Sequence, residues 1–229
     1  MSQEGGLILL IESSSKNCSV ALTNGKELLC LRELSNEAYI HAENLHEFIE
    51  QVFTHSGKKY SELKAVAVSK GPGSYTGLRI GVSAAKGFCM ALDIPLIAVS
   101  TTEILARYGK KTFSHYAYYI AMIDARRDEV YTAIYDYDLQ LINEVKSEIV
   151  NPEYLSRFKN ERALFIGDGA DKCRLSDQNQ NVLSVLPSAT MMVESANERF
   201  ESEKFEDTAY FEPFYLKDFI PGKAKSTVL

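Results

Sequence analysis

The chain has 229 residues, 45% hydrophobic and 24% charged, and its 25 Lys+Arg against 31 Asp+Glu leave a formal net charge of −6. This is the composition of a globular protein, and the acidic balance excludes one that grips nucleic acid alone, because such binding draws most of its affinity from Lys and Arg at phosphates. Any nucleic-acid role is therefore expected to come through a partner. The four cysteines, Cys18, Cys30, Cys89 and Cys173, are widely spaced with no C-x-x-C pair, which excludes a zinc or disulfide framework of the usual spacing. The only apolar run near the N-terminus, residues 7–11, ends at Glu12 without a basic segment before it, so the expectation is a cytoplasmic protein with no membrane span.

Residues 7–11 read as a buried strand, followed by a serine turn at 13–15 and a second strand at 18–22; Asn24-Gly25 then signals a hairpin into a third strand at 26–34. Leu45, Phe48, Ile49, Val52 and Phe53 repeat at helical spacing, which predicts an amphipathic helix of about five turns behind Ser35 and Asn36 as capping residues. A strand at 65–68, a Gly-rich loop, a helix from Ser74 to Leu92, a strand at 95–99 and a helix at 102–108 complete the first unit. Gly109 is expected to stop that last helix, and Lys110 and Lys111 to mark a boundary.

The meander then recurs at 119–123, 130–134 and 139–145, with Glu12 matching Asp124, Cys18 matching Val130 and Leu29 matching Leu141, each pair 112 positions apart. Any two meanders look alike over one strand; one offset across three strands predicts an internal duplication with a cleft between the units. A short helix at 152–158, capped by Asn151 with Pro152 first, a strand at 163–166 and a helix at 188–200 follow. The expected division is a first lobe over 1–108, a second over 109–205 and a C-terminal segment, 206–229, returning toward the first.

The loop Gly71-Pro-Gly-Ser-Tyr-Thr-Gly77 joins a strand to a helix, where an anion could sit. Leu78 stands where a phosphate loop needs lysine, and the glycine spacing fails the dinucleotide fingerprint, so the loop reads as structural, its glycines serving close packing. The cleft turns, Glu12-Ser-Ser-Ser-Lys16 and Asp124-Ala-Arg-Arg127, both lack glycine; Gly167-Asp-Gly169 remains as a relic of a nucleoside-side loop. Glu12, Asp124, Gly167 and Gly169 are thus the residues of a degenerate cleft, with no cofactor, metal or catalytic residue expected. His41 and His46 are five residues apart, about 140° around a helix, and cannot easily share an ion.

The helix after the Gly-rich loop is apolar over most of its circumference, with Gly77, Gly81, Ala84 and Phe88 along one small-residue face and Leu78, Val82 and Ala85 along another. Such a helix must be covered on two sides. It is either buried inside the lobe or part of a subunit interface, and in the second case Gly81→Leu should leave the fold intact and abolish pairing.

The segments Ile8-Leu-Leu-Ile-Glu-Ser-Ser-Ser15 with Cys18-Ser-Val-Ala-Leu22, His41-Ala-Glu43 with Leu45, Gly71-Pro-Gly-Ser-Tyr-Thr-Gly-Leu-Arg-Ile-Gly81, Val99-Ser-Thr101, Ile123-Asp-Ala-Arg126 with Glu129-Val-Tyr131, and Pro213 with Tyr215-Leu216 span both units. Together they resemble the TsaB (YeaZ) family, the bacterial accessory subunit of tRNA threonylcarbamoyladenosine (t6A) synthesis; Glu12 stands where that family usually carries Asp. The resemblance implies an α/β protein of the actin-like ATPase (ASKHA) fold, two duplicated lobes each with a mixed sheet flanked by helices. It also implies a noncatalytic pseudo-enzyme that pairs with the catalytic paralogue TsaD, works with the ATPase TsaE on the threonylcarbamoyl-adenylate supplied by TsaC-type enzymes, and forms a homodimer when isolated. The family interface carries over to His41, Leu45, Phe48, Gly77, Arg79, Gly81, Val82, Ala84, Ala85 and Phe88. A metal-dependent glycoprotease-like hydrolase and a small-molecule kinase of the same fold are the alternatives; the chain lacks the i, i+4 histidine pair for the first and glycine in its cleft turns for the second.

Overall fold

A computed structural model of the protein describes residues 5–35, 41–176 and 180–216. Two five-stranded sheets make up its frame. In the first, β1 (Leu7–Glu12), β2 (Asn17–Asn24), β3 (Glu27–Ser35), β4 (Leu63–Gly71) and β5 (Leu96–Ser100) lie in the order β3-β2-β1-β4-β5. In the second, β6 (Tyr118–Asp124), β7 (Glu129–Asp136), β8 (Lys146–Ile149), β9 (Ala163–Ile166) and β10 (Val182–Leu183) lie in the order β8-β7-β6-β9-β10. The orders are the same, with antiparallel meanders and parallel β1·β4 and β6·β9 pairs in the middle. The duplication inferred from one constant offset is therefore a duplication of topology.

Alternation along the strands decides which helix covers which face. Leu7, Leu9 and Ile11 of β1 point into a core with Leu45, Ile49 and Val52 of α1 (His41–Ser56) and Val82 and Ala85 of α2 (Tyr75–Leu92). Ile8 and Leu10 point the other way, against Ile104 of α3 (Thr101–Thr112) and a segment carrying Ala189, Met192 and Ala196. In the second lobe Ile120 and Met122 pack under α4 (Pro152–Ser156) and Cys173 of α5 (Asp171–Ser176), while Tyr119, Ala121 and Ile123 face Leu105 and Ala106 of α3. Consecutive residues of α3 thus enter the cores of different sheets, and this helix joins the lobes.

That placement corrects the helix stop expected at Gly109. The helix runs on to Thr112, and buried Gly109 lies against Tyr119, Leu164 and Ile166, where a methyl group would sit 3.1 Å from Ile166 Cδ1. The glycine lets α3 approach the second sheet; it does not terminate the helix. Likewise α6 (Val193–Glu201), expected with the second lobe, packs Ala196 against the first sheet. Its Arg199 and Glu198 pair with Glu103 and Arg107 of α3 at 2.6 and 2.7 Å. The C-terminal segment also lies on the first lobe: Glu206 bridges to Leu96 and Phe214 N–H donates to Lys70 O at 2.7 Å.

Two further expectations are corrected. Ser35 is the last residue of β3 and its hydroxyl donates to Asn17 Oδ1 at 3.2 Å, so it caps no helix; Asn36 lies outside the described residues, as do Lys217 to Leu229. The third strand of the second meander does not run over 139–145: Asp136 Oδ1 accepts the Gln140 N–H at 2.8 Å, Leu139 turns with φ 62°, and a single Tyr135·Leu141 bridge precedes β8. The Asn24-Gly25 turn in the first lobe lets pairing resume at once, whereas this wider turn delays it. By contrast, Asn151 caps α4 as expected, accepting the Tyr154 N–H at 2.7 Å with Pro152 at the first position. Among the described residues no helix is long and apolar enough to cross a membrane.

Candidate functional site between the lobes

Each lobe presents the turn after its first strand toward the other. In the first lobe, Glu12 ends β1 between β2 and β4, and Glu12, Ser13, Ser14 and Ser15 are all buried. Ser14 N–H donates to Glu12 Oε1 at 2.6 Å, while Glu12 Oε2 has no hydrogen-bond partner. Burial pushes the Glu12 carboxyl up to about 7, against the hydrogen bonding from Ser14 and with the charge of Asp168 adding to the rise.

The Gly-rich loop lies directly on this turn. Ser74 N–H donates to Ser14 O at 2.7 Å and Ser13 Oγ donates to Gly77 O at 2.9 Å. A side chain at Gly73 would collide with the Ser14 carbonyl, and one at Gly81 with Ser13 Oγ. Ser74 caps α2, its Oγ accepting the Gly77 N–H at 3.3 Å. The loop therefore packs backbone on backbone against the β1–β2 turn, and the Gly77 N–H in the first turn of α2 is taken up by the Ser74 cap.

The second turn is arranged differently. Asp124, Arg126 and Arg127 are exposed, the two arginines with positive φ. Asp124 Oδ1 accepts from Arg126 N–H at 2.8 Å and from Lys172 Nζ at 2.6 Å; Lys172 also donates to Glu129 O at 2.6 Å. Asp168 Oδ1 accepts the Asp124 N–H at 3.0 Å, and burial, with the nearby Asp124 charge, pushes its carboxyl up to about 6. Gly167, at φ +123°, packs on the Met122 carbonyl, and a methyl on Gly169 would lie 2.9 Å from the Ile123 carbonyl carbon. These glycines close backbone against backbone instead of opening a cradle. Among the described residues no three His, Cys, Asp or Glu side chains group as a metal site.

The structure groups Asp124 with Gly167 and Gly169, and the charge of Asp168 between those glycines acts on Glu12. It adds Asp168, Lys172 and Ser69, whose hydroxyl accepts the Ser13 N–H at 3.4 Å. Asp168 was flanked by two glycines already singled out. Lys172 carried no motif signal, because its role depends on α5, a six-residue helix without a legible period.

The interface candidates divide. Leu45, Phe48, Gly77, Gly81, Val82 and Ala85 are buried inside the first lobe and cannot meet a partner. The small-residue face holding Gly77 and Gly81 packs on Ser13 of the same chain, so the expected selective effect of Gly81→Leu is corrected to an effect on the fold. Arg79 is exposed, Ala84 and Phe88 are half-buried, and the His41 side chain lies outside the described residues. The outward stripe of α2 is therefore Arg79, Ser83 and Met90, which is 71% exposed, with Ala84 and Phe88 along its edge. Arg79 lies 4.1 Å over the Tyr75 ring and donates to Tyr215 Oη at 3.2 Å. Lys86 Nζ donates to Phe211 O at 3.0 Å.

Two lobes of one topology, joined by a shared helix and meeting at the turns after their first strands, define a member of the actin-like ATPase fold. The fold is shared with the activator of the 2-hydroxyisocaproyl-CoA dehydratase from Clostridium difficile with bound ADPNP, at TM-score 0.54 and 11% identity over 86% of this chain and 96% of that one. A structure from Pseudomonas aeruginosa, described as an uncharacterized protein with similarity to peptidase YEAZ, superposes at TM-score 0.79 with 25% identity, over 93% of this chain and 100% of that one. Residues 37–220 match the family model described as TsaD, tRNA N6-adenosine threonylcarbamoyltransferase. The tRNA threonylcarbamoyladenosine biosynthesis protein TsaB of Escherichia coli is 30% identical over 94% of this chain and 96% of its own length. The chain belongs to the TsaB family, within the wider family that this threonylcarbamoyltransferase model describes.

Proposed function

We propose that the protein serves tRNA threonylcarbamoyladenosine synthesis as a noncatalytic subunit that binds and activates a TsaD-type catalytic paralogue, with a TsaE-type ATPase as the third component and tRNA reached through the complex. The observation that carries this is the seating of the Gly-rich loop on the first cleft turn, with Ser74 N–H on Ser14 O at 2.7 Å and no room for a side chain at Gly73. Lys172 supports it from the other lobe by neutralising Asp124. A chain whose first cleft turn is covered in this way has its outer surfaces left for a partner.

The surface best suited to a partner is the outward stripe of α2, where an arginine buttressed by two tyrosines stands beside Phe88 and Met90. Arginine and aromatic side chains are the groups that most often dominate association energies. Alone, the chain pairs with a second copy through the same stripe, and its place of work is the cytoplasm. Co-purification with the TsaD-type paralogue tests the proposal. Wild-type chain should be retained, whereas Arg79→Glu, a change at an exposed position, should weaken association at least tenfold without shifting the melting temperature. Threonylcarbamoyl transfer by this chain in the absence of the paralogue would overturn it.

A further inference from the structure

A second concavity lies at the other end of the second lobe, opposite the interlobe turns. Tyr118 begins β6, whose far end is Asp124; Asp136 ends β7; and Arg162 directly precedes β9, which leads away to Gly167. The pocket between them has a volume of about 370 Å³, within the range of small-ligand sites. Its walls are rings: His115 and Tyr116 lie 4.3 Å apart, and Tyr118 and Tyr137 complete the lining. Tyr116 is half-buried and stands edge-on to the buried ring of Tyr119, which holds it in place.

At this pocket Arg162, Tyr137 and Asp138 are exposed, and Tyr116 and Tyr118 are half-buried. Among the described residues, neither the Arg162 guanidinium nor the Asp138 carboxylate makes a hydrogen bond or ion pair, and the hydroxyls of Tyr116, Tyr118 and Tyr137 have no hydrogen-bond partner. Asp136, by contrast, is engaged by the Gln140 N–H at 2.8 Å. Lys110 holds its ammonium 4.3 Å from the Tyr137 ring, so a second cation stands beside the pocket.

We propose that this pocket binds a guanine base. Aromatic faces stack on any nucleobase, and the choice of base follows from the two charged groups. The Watson–Crick edge of guanine offers two adjacent N–H donors that one carboxylate, Asp138, can accept together, and guanine O6 and N7 accept the paired donors of an arginine fork, Arg162. Adenine would turn its ring-nitrogen acceptor toward the same carboxylate. Lys110 is placed to meet a phosphate attached to the base. The net charge of −6 fits recognition led by the base, not by a row of phosphates.

The guanine can come from a free nucleotide or from an unpaired position in RNA, and the test separates the two. The full chain is titrated calorimetrically with GMP, with AMP, and with two RNA hairpins that differ only in a loop guanine or a loop uracil. Saturable binding of GMP or of the guanine hairpin is expected, with AMP or the uracil hairpin at least tenfold weaker. Preference for the guanine hairpin over GMP assigns RNA as the source, and binding of GMP alone assigns a free nucleotide. Arg162→Ala should cost about tenfold in affinity, and Asp138→Asn should erase the preference for guanine, both at unchanged melting temperature because both side chains are exposed and unpaired. Absence of saturable binding by GMP and by the guanine hairpin, equal affinity for GMP and AMP, or binding that survives both substitutions would overturn the proposal. None of these outcomes depends on the TsaD-type partner.

Discussion

The turns after β1 and after β6 occupy the same position in duplicated lobes, yet one is sealed inside the protein and the other sits at its surface. Glu12 to Ser15 are buried under a loop that donates Ser74 N–H to Ser14 O, whereas Asp124, Arg126 and Arg127 are exposed and Asp124 pairs with Lys172. The difference teaches that equivalent turns can be held by close packing or by an ion pair, and that the two should respond to different perturbations. Packing in the first lobe should be sensitive to volume and to pH; the ion pair in the second should matter little.

The largest effect is expected from Gly81→Leu. A side chain there collides with Ser13 and meets Ile11 Cγ2 within 3.4 Å, on the turn itself. Overpacking of this kind typically costs about 1–3 kcal/mol, and a leucine should reach at least the upper end even after the gain in helix propensity of about 1 kcal/mol. The melting temperature should fall by about 10 °C. Calorimetry of the isolated variant checks this, and a fully stable variant would contradict the burial of this face.

A comparable effect should come from pH. The Glu12 carboxyl titrates near 4.5 when unfolded and is pushed up to about 7 in the fold by burial. The folded state therefore binds a proton that the unfolded state has lost, so stability should fall as pH rises from about 4.5 to about 7, by about 3 kcal/mol in all, and level off above. Asp168, pushed up to about 6, acts in the same direction. Glu12→Gln, which mimics the protonated acid, should remove most of this slope in denaturant unfolding measured at pH 5 and pH 7.5. An unchanged slope would mean that Glu12 is charged where it lies.

The smallest effect belongs to the second turn. Lys172→Ala breaks a pair whose side chains are 19% and 40% exposed, and pairs of that exposure contribute about 1 kcal/mol or less. A change in unfolding free energy much above that would make the two turns alike and spoil the contrast.

Much of the frame was legible because strand periodicity and one repeating offset are properties of the chain alone: residues 163–166 and the cap at Asn151 come straight from local pattern. Local pattern failed where tertiary contact decides. Gly109 breaks helices by propensity, but the second sheet needs it inside one. The small-residue face of α2 looked ready for a partner helix, yet the partner is the β1–β2 turn sixty-odd residues earlier in the chain, at Ser13. Apolar periodicity marks what is covered and is silent on what covers it, which is why six of the interface candidates turned out to be core. The exposed stripe through Arg79, Ser83 and Met90 was the polar remainder of the same helix and became informative only once the buried faces were assigned.

The closure of the cleft is tested most directly by ATP turnover on the isolated chain, measured beside its Glu12→Gln and Asp124→Asn variants. Turnover at the background of a protein-free control, the same for all three, is the result predicted by a loop seated on Ser14 and a lysine seated on Asp124. Turnover well above background that is lost in both variants would show that phosphates do enter between the lobes, and would contradict the account.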